Sequence, residues 1–345
     1  MKSTKRVVFP LLVYTPPFFK TGVDVNRNIM AAELAEKGYS VLCVGVYQEE
    51  DKIEEVLTRH KIAFQVLQGT IISYSYKGVP CVMVKENDFF SYLKGEINQD
   101  DIVFIINRKS AEILKIVKEN KALSVALVSD AILERREMYA KQPDYILYES
   151  ESVAAFGTQF HNLPYHLFPP PFVAPPNVVV PKKFKNRITL INPIPQKGGD
   201  VFFALAEDMP EHFFFAVEGW NPIYVEKKYT DKNVRYFNRQ QAKSMSFIFQ
   251  ETGVLISPSH FNEAFGRTIV EAGLHGIPSV VSNKGALPQV VGGGGIVLDT
   301  YDVEEWKKAI ETIESDYENY SRKAYENAQL YLLDTEEKLK KIGIL

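Results

Sequence analysis

The stretch Gly253-Val254-Leu255-Ile256-Ser257-Pro258-Ser259-His260-Phe261-Asn262-Glu263-Ala264-Phe265-Gly266-Arg267-Thr268-Ile269-Val270-Glu271-Ala272-Gly273-Leu274-His275-Gly276-Ile277-Pro278-Ser279-Val280-Val281 decides the fold. An apolar run of strand length leads into a polar loop containing a glycine. A short helical pattern follows, and then a second apolar run. This order reads as buried strand, loop, helix and buried strand, the repeating unit of a parallel sheet. In such a sheet, the loop beyond a strand's carboxyl end is where ligands sit.

Two glutamates, Glu263 and Glu271, stand eight residues apart across that loop and helix. At about 100° per residue, eight helical steps leave them roughly 80° apart. With Glu263 in the loop and Glu271 about a turn into the helix, they reach different parts of one elongated ligand. Backbone N–H groups near Phe265, Gly266 and Arg267 open the helix and suit an anion. Glu271 lies among Ile269, Val270, Ala272 and Leu274, which predicts a half-buried carboxylate. Such a group needs strong donors, and the vicinal hydroxyls of a ribose would supply two. The alternative reading has Glu263 capping the helix and Glu271 pairing with a nearby Lys or Arg.

The run from Ser257 through Pro278, continuing into Ser282-Asn283-Lys284-Gly285-Ala286-Leu287-Pro288, resembles the nucleotide-sugar site of glycosyltransferase family 4. Several features agree in order: Pro-Ser before the loop, Glu-Ala-Phe-Gly, Glu-Ala eight residues later, Gly-Ile-Pro, and a Leu-Pro turn. Glu263 and Glu271 match the family's E-x7-E signature. The resemblance is close over the C-terminal half and faint over the N-terminal half. It implies an α/β chain of the GT-B fold, two doubly wound Rossmann-like domains with a cleft between them. It also implies an enzyme that transfers a hexose with retention from a nucleotide-diphosphate-sugar of UDP or GDP type.

A second candidate site lies at Leu190-Ile191-Asn192-Pro193-Ile194-Pro195-Gln196-Lys197-Gly198-Gly199-Asp200. It reads as a strand, a proline-stiffened turn, a lysine, two glycines and a helix. The glycines admit close backbone approach, and Lys197 supplies a point charge for phosphate. A solvated loop lysine is the alternative. By resemblance the stretch is similar to the family's diphosphate clamp, whose usual arginine, five residues before the lysine, is here Asn192. Arg267 either replaces that charge or faces solvent. The resemblance places ribose on Glu271, diphosphate on Lys197 and the helix start at Gly266, and sugar hydroxyls on Glu263. Glu263 and Lys197 are then the catalytic candidates, with Phe265, Arg267, Asn192 and Gly22 at the donor.

Gly22 resembles the first of two glycines in the family's N-terminal loop; Val23 stands in place of the second. Asp24, Asn26 and Arg27 lie just beyond, either contacting acceptor or sugar or, for Asp24 and Asn26, capping the next helix. After the strand Val125 to Val128, where the family often has a histidine, the chain has Ser129-Asp130. Asp130 is therefore a second candidate contact for acceptor or sugar.

Composition agrees with this class. The chain has 345 residues, 46% hydrophobic and 24% charged, with formal charge −3. Length predicts two domains, each large enough for its own core. Neither half is basic enough for a nucleic-acid partner. Nothing approaches 18 consecutive apolar residues, so membrane association is at most peripheral. The basic start, Met1 to Arg6, leads into a first strand and not a secretion signal. Cys43 and Cys81 have no metal-ligand spacing and read as reduced core residues of a cytoplasmic protein.

Strand patterns over Val7 to Tyr14, Val41 to Val46, Ile102 to Ile106, Val125 to Val128 and Tyr145 to Tyr148 alternate with helical patterns over Asn28 to Lys37 and Ser110 to Glu119. Five prolines within the eight residues 169–176 then predict a stiff linker. Strand patterns resume at Ile188 to Ile191, Phe213 to Val217, Val234 to Phe237, Val254 to Ile256, Ser279 to Val281 and Ile296 to Leu298. The expected organisation is an acceptor domain over 1–168, a linker over 169–186, a nucleotide-sugar domain over 187–320 and a C-terminal helix over 321–345. By resemblance that helix, with Tyr317 to Leu333 as its segment, crosses back to the first domain.

No cofactor beyond the sugar nucleotide is expected, and no metal, because the chain lacks an Asp-x-Asp pair. The acceptor, whether glycan, lipid-linked or small molecule, is expected at N-terminal loops around Pro16 to Val25, Gln68 to Gly78 and Asn107 to Ser110. A rival reading is a non-catalytic nucleotide-sugar-binding subunit supporting an active partner. A dinucleotide-dependent oxidoreductase fits less well, since no G-x-G-x-x-G follows the first strand.

Overall fold

The computed structural model describes residues 5–12, 15–18, 22–106, 109–175, 184–219, 229, 232–238, 245–332 and 334–345. The chain divides into two compact units, Met1–Pro171 with Leu333–Leu345, and Phe172–Leu332.

In the first unit the strands are β1 (Arg6–Pro10), β2 (Val41–Tyr47), β3 (Phe64–Leu67), β4 (Ile71–Tyr76), β5 (Val79–Lys85), β6 (Asp101–Ile106), β7 (Leu123–Val128), β8 (Tyr145–Tyr148) and β9 (His166–Leu167). They form one sheet in the order β3-β4-β5-β2-β1-β6-β7-β8-β9. Helices α1 (Gly22–Glu36), α2 (Ile53–Arg59), α3 (Phe89–Glu96), α4 (Ser110–Glu119), α5 (Arg136–Ala140) and α6 (Glu151–Gly157) connect them. β1, β2 and β6 are fully or nearly fully buried along their length, which is why they read as continuous apolar runs.

The second unit carries β10 (Arg187–Ile191), β11 (Phe213–Val217), β12 (Val234–Phe237), β13 (Val254–Ser257), β14 (Ser279–Ser282) and β15 (Gly295–Leu298). All pair in parallel, in the order β12-β11-β10-β13-β14-β15. Its described helices are α7 (Gly199–Asp208), α8 (Met245–Glu251), α9 (Arg267–Gly273), α10 (Leu287–Val291), α11 (Val303–Ser315) and α12 (Tyr317–Gln329). One core gathers Leu190, Phe202, Phe214, Ile256 and Trp306; another gathers Leu255, Phe265, Val270, Leu274 and Val281. Each unit is thus a doubly wound, Rossmann-like sheet.

Four expectations need correction. Helix α1 starts at Gly22, not Asn28, and Asp24, Asn26 and Arg27 are buried within it. A polar first half hides a helix from any reading based on an apolar stripe. The sheet of the first unit is not wholly parallel, because β3, β4 and β5 pair antiparallel at its edge. The expected loop Gln68 to Gly78 therefore contains a strand, set between turns with positive φ at Gln68, Gly69, Lys77 and Gly78. Finally, α12 lies in the second unit, and the segment that returns to the first is Leu333–Leu345. Its helix α13 (Thr335–Lys341) packs on α1 and sends Leu339 into the first unit's core, which Ile344 joins from beyond the helix end.

The linker prolines also lie closer to structure than expected. Phe172 is buried, and its N–H donates to the Tyr331 carbonyl at 3.1 Å. Val13, Tyr14, Asn107, Arg108 and residues 19–21 and 176–183 lie outside the described residues.

Candidate active site

In the second sheet the chain leaves β10 toward β11 and leaves β13 toward β14, while β10 and β13 are themselves neighbours. The loops beyond these two strands therefore open side by side at a topological switch point, the ligand position of an open parallel sheet. The first loop carries Asn192 and Lys197; the second carries Ser259, Glu263 and Gly266.

Backbone contacts clasp the two loops together. The His260 N–H donates to the Gln196 carbonyl at 3.0 Å, and the His260 ring meets Asp200 at 2.9 Å. Gly198 has φ of 80°, and a Cβ there would fall 2.2 Å from the Pro258 carbonyl oxygen, so only glycine lets the loops meet. On the other side Glu263 bridges to Gly285, and the Ala286 N–H donates to the Glu263 carbonyl at 2.9 Å. A Cβ on Gly285 would fall 2.2 Å from that carbonyl oxygen.

These contacts fix Glu263, a residue only 8% exposed. Lys197 Nζ donates to Glu263 Oε1 at 2.6 Å, and Ser259 Oγ donates to the same oxygen at 2.9 Å. The Lys197 ammonium also lies 4.7 Å from the centre of the Phe261 ring. Glu263 is thus held by a lysine and a serine and does not cap α9; the residue at the cap is Gly266, with φ of 99°.

Of the readings open for Glu271, the structure shows the ion pair. Arg267 Nη2 and Nε donate to Glu271 Oε1 at 2.8 and 3.2 Å, and the guanidinium stacks 4.3 Å from the Phe172 ring centre. Phe265 is buried against Phe172 and Tyr331, so only its backbone faces the loop's chemistry. Asn192 is buried, with φ of 60°, and its amide nitrogen and oxygen have no hydrogen-bond partner among the described residues.

The first-unit candidates sit differently. Gly22 is the first residue of α1, and Asp24 and Asn26 lie inside that helix, not at a cap. Asn26 Nδ2 donates to Glu149 Oε1 at 2.9 Å, and both residues are buried. Asp130 accepts from Nε and Nη2 of Arg135, at 3.0 and 2.7 Å, and Arg135 Nη1 also reaches Ser110 Oγ. Sequence reading missed Ser259, Arg135 and Glu149. The available signal for Glu149 was a carboxylate directly after the apolar run Tyr145 to Tyr148, at the carboxyl end of a strand.

Residues 224–331 match the family described as glycosyl transferases group 1. The matched stretch lies within the second unit and includes Glu263, Arg267 and Glu271. Among similar proteins, an uncharacterized 41.2 kDa protein of the cps region of Klebsiella pneumoniae is 33% identical over 124 residues, 35% of this chain and 33% of its own. The O-antigen chain mannosyltransferase B of Escherichia coli is 35% identical over 80 residues, 23% of this chain and 21% of its own. The aligned part of the chain thus spans a third or less of these curated relatives. Among solved structures, Anabaena HepE in complex with UDP superposes with a TM-score of 0.72 at 13% identity, covering 98% of each chain. That likeness establishes the fold: two Rossmann-like sheets arranged along the chain as in GT-B glycosyltransferases.

Proposed function

We propose that the chain is a hexosyltransferase that takes its sugar from a nucleoside-diphosphate donor of UDP or GDP type. The observation that carries this reading is the pairing of Lys197 with Glu263 at the switch point of a sheet whose later part matches the group 1 glycosyl transferases. Lys197 provides fixed positive charge for the diphosphate, joined by Arg267 and the backbone at Gly266. Glu271 accepts from the ribose hydroxyls and Glu263 from hydroxyls of the sugar.

In the reaction, the bond between the sugar's anomeric carbon and the diphosphate oxygen breaks, and its electron pair leaves with the diphosphate. The acceptor hydroxyl oxygen forms the new bond and gives up its proton, which a leaving phosphate oxygen can take. Lys197 stabilises the charge that grows on the diphosphate as the bond breaks, without reorganisation at that moment. Glu263 fixes the reacting sugar. No covalent glycosyl intermediate is assigned, and transfer proceeds with retention and without a metal. Of the first unit's candidates Asp130 serves the acceptor; Asp24 is buried within α1.

A thermal-shift screen with UDP-, GDP-, ADP- and dTDP-sugars tests the donor class. A donor at 100 times its dissociation constant stabilises the fold by about 2.7 kcal/mol. A chain that responds to none of the four has a different substrate.

A further inference from the structure

Both cations of the candidate site already hold a carboxylate. Lys197 is paired with Glu263 at 2.6 Å, their side chains 16% and 11% exposed. Arg267 is paired with Glu271 at 2.8 Å. The four side chains together carry no net charge. At this depth, solvent screens a charge poorly, and separating either pair leaves a carboxylate in a partly apolar setting. Glu263 would keep only the Ser259 hydroxyl as a side-chain donor among the contacts described.

An anion that approaches Lys197 therefore meets Glu263 as a like charge on the same ammonium. Bare phosphate groups offer the displaced carboxylate nothing. A ligand with hydroxyls on either side of its phosphates offers a full exchange. Its phosphates take the ammonium and guanidinium, and its hydroxyls donate to the carboxylates. We propose that Glu263 is a specificity-determining residue that acts as the resident counter-anion of Lys197, with Glu271 doing the same for Arg267. The pairs make the site reject simple polyanions and accept ligands that join a diphosphate to hydroxyl-bearing rings. This rests on the nucleotide-sugar reading above, and it adds how the site distinguishes that ligand from free pyrophosphate.

The test is calorimetric titration of the full chain with inorganic pyrophosphate, with UDP and GDP, and with UDP- and GDP-hexoses. It compares the unaltered protein with Glu263→Gln. Removing the counter-anion should tighten pyrophosphate at least tenfold while leaving the sugar nucleotide no tighter than before. Pyrophosphate binding that is unchanged or weaker in a folded Glu263→Gln variant overturns the proposal. If that variant does not fold, Glu263→Asp decides. It keeps the charge but draws it back by one methylene, and it too should tighten pyrophosphate. An unaltered chain that binds neither nucleotide nor sugar nucleotide refutes the donor reading itself. Nucleotide binding without the pyrophosphate gain removes only the counter-anion role.

Discussion

Lys197 and Glu263, 66 positions apart in sequence, are joined by a 2.6 Å bond that links the loop after β10 to the loop after β13. This one contact couples the two candidate catalytic residues, so neither can be altered without changing the other's setting. It also fixes the sign of what each substitution does.

Lys197→Ala removes the positive charge and leaves Glu263 facing the diphosphate alone. Nucleoside diphosphate and sugar nucleotide should both bind more weakly, by about 1.5–3 kcal/mol for a charged hydrogen bond. Glu263→Gln frees the ammonium, so nucleoside diphosphate should bind as well or better, while turnover falls on the order of 100-fold because the sugar is misplaced. Calorimetry and product assay on the two variants decide the matter; parallel losses of nucleotide affinity would show that they act as one structural unit.

Glu271→Gln should behave differently from Glu263→Gln. If Glu271 accepts from the ribose, the loss appears with every ligand containing a nucleoside, at about 1.5–3 kcal/mol for a hydrogen bond to a charged group. It should be absent for pyrophosphate. A variant whose nucleoside diphosphate affinity is unchanged leaves Glu271 with only its structural pairing to Arg267.

These two loops were legible in the sequence because a buried parallel strand is a continuous apolar run, and polar residues at its carboxyl end stand out. Which residues touch was less legible. Arg267 and Glu271 lie four apart on a helix, so their pairing was among the readings left open, whereas Lys197 and Glu263 meet only through sheet order. Helix α1 was half concealed because Asp24, Asn26 and Arg27 are buried polar side chains. Asn26 finds Glu149, 123 residues away, a partner no local pattern reveals. The β3–β4–β5 hairpins were missed because Phe64–Leu67 and Ile71–Tyr76 mix polar with apolar residues and alternate imperfectly.

The returning segment gives a stability prediction. The Glu33 carboxylate on α1 accepts from the Thr335 and Glu336 N–H groups at 3.0 and 3.4 Å, capping α13 from a neighbouring helix. Leu339 is fully buried behind it. Leu339→Ala should cost about 2–5 kcal/mol and Glu33→Gln about 1 kcal/mol, read from denaturant unfolding. A Leu339→Ala midpoint equal to that of the unaltered chain would show that α13 does not support the first unit.

His212 supplies a pH signature. Burial opposes its charge, but Glu314 at 3.0 Å and Glu211 at 3.1 Å outweigh that and raise its pKa above the ordinary value. A histidine raised on folding contributes stability that is fully present below its unfolded pKa of about 6.5. That contribution is lost as pH rises through the folded value. His212→Gln should therefore lower the melting temperature at about pH 5.5 and have little effect near pH 9. An equal loss at both would mean that packing, not charge, is what His212 supplies.

The anion site proposed here relies on a lysine, an arginine and backbone N–H groups, so turnover should persist in excess EDTA. Activity lost in chelator and restored by Mn²⁺ or Mg²⁺ would refute metal-free transfer.

The central claim is that this chain breaks a sugar–diphosphate bond and does not merely hold the molecule. The most direct measurement is release of free hexose and nucleoside diphosphate from each donor that the chain binds, without added acceptor, for the unaltered protein and for Lys197→Ala. Slow hydrolysis that falls at least tenfold in the lysine variant at saturating donor is the predicted result. Tight donor binding with no hexose released from any donor would contradict it, and would make the protein a nucleotide-sugar-binding subunit.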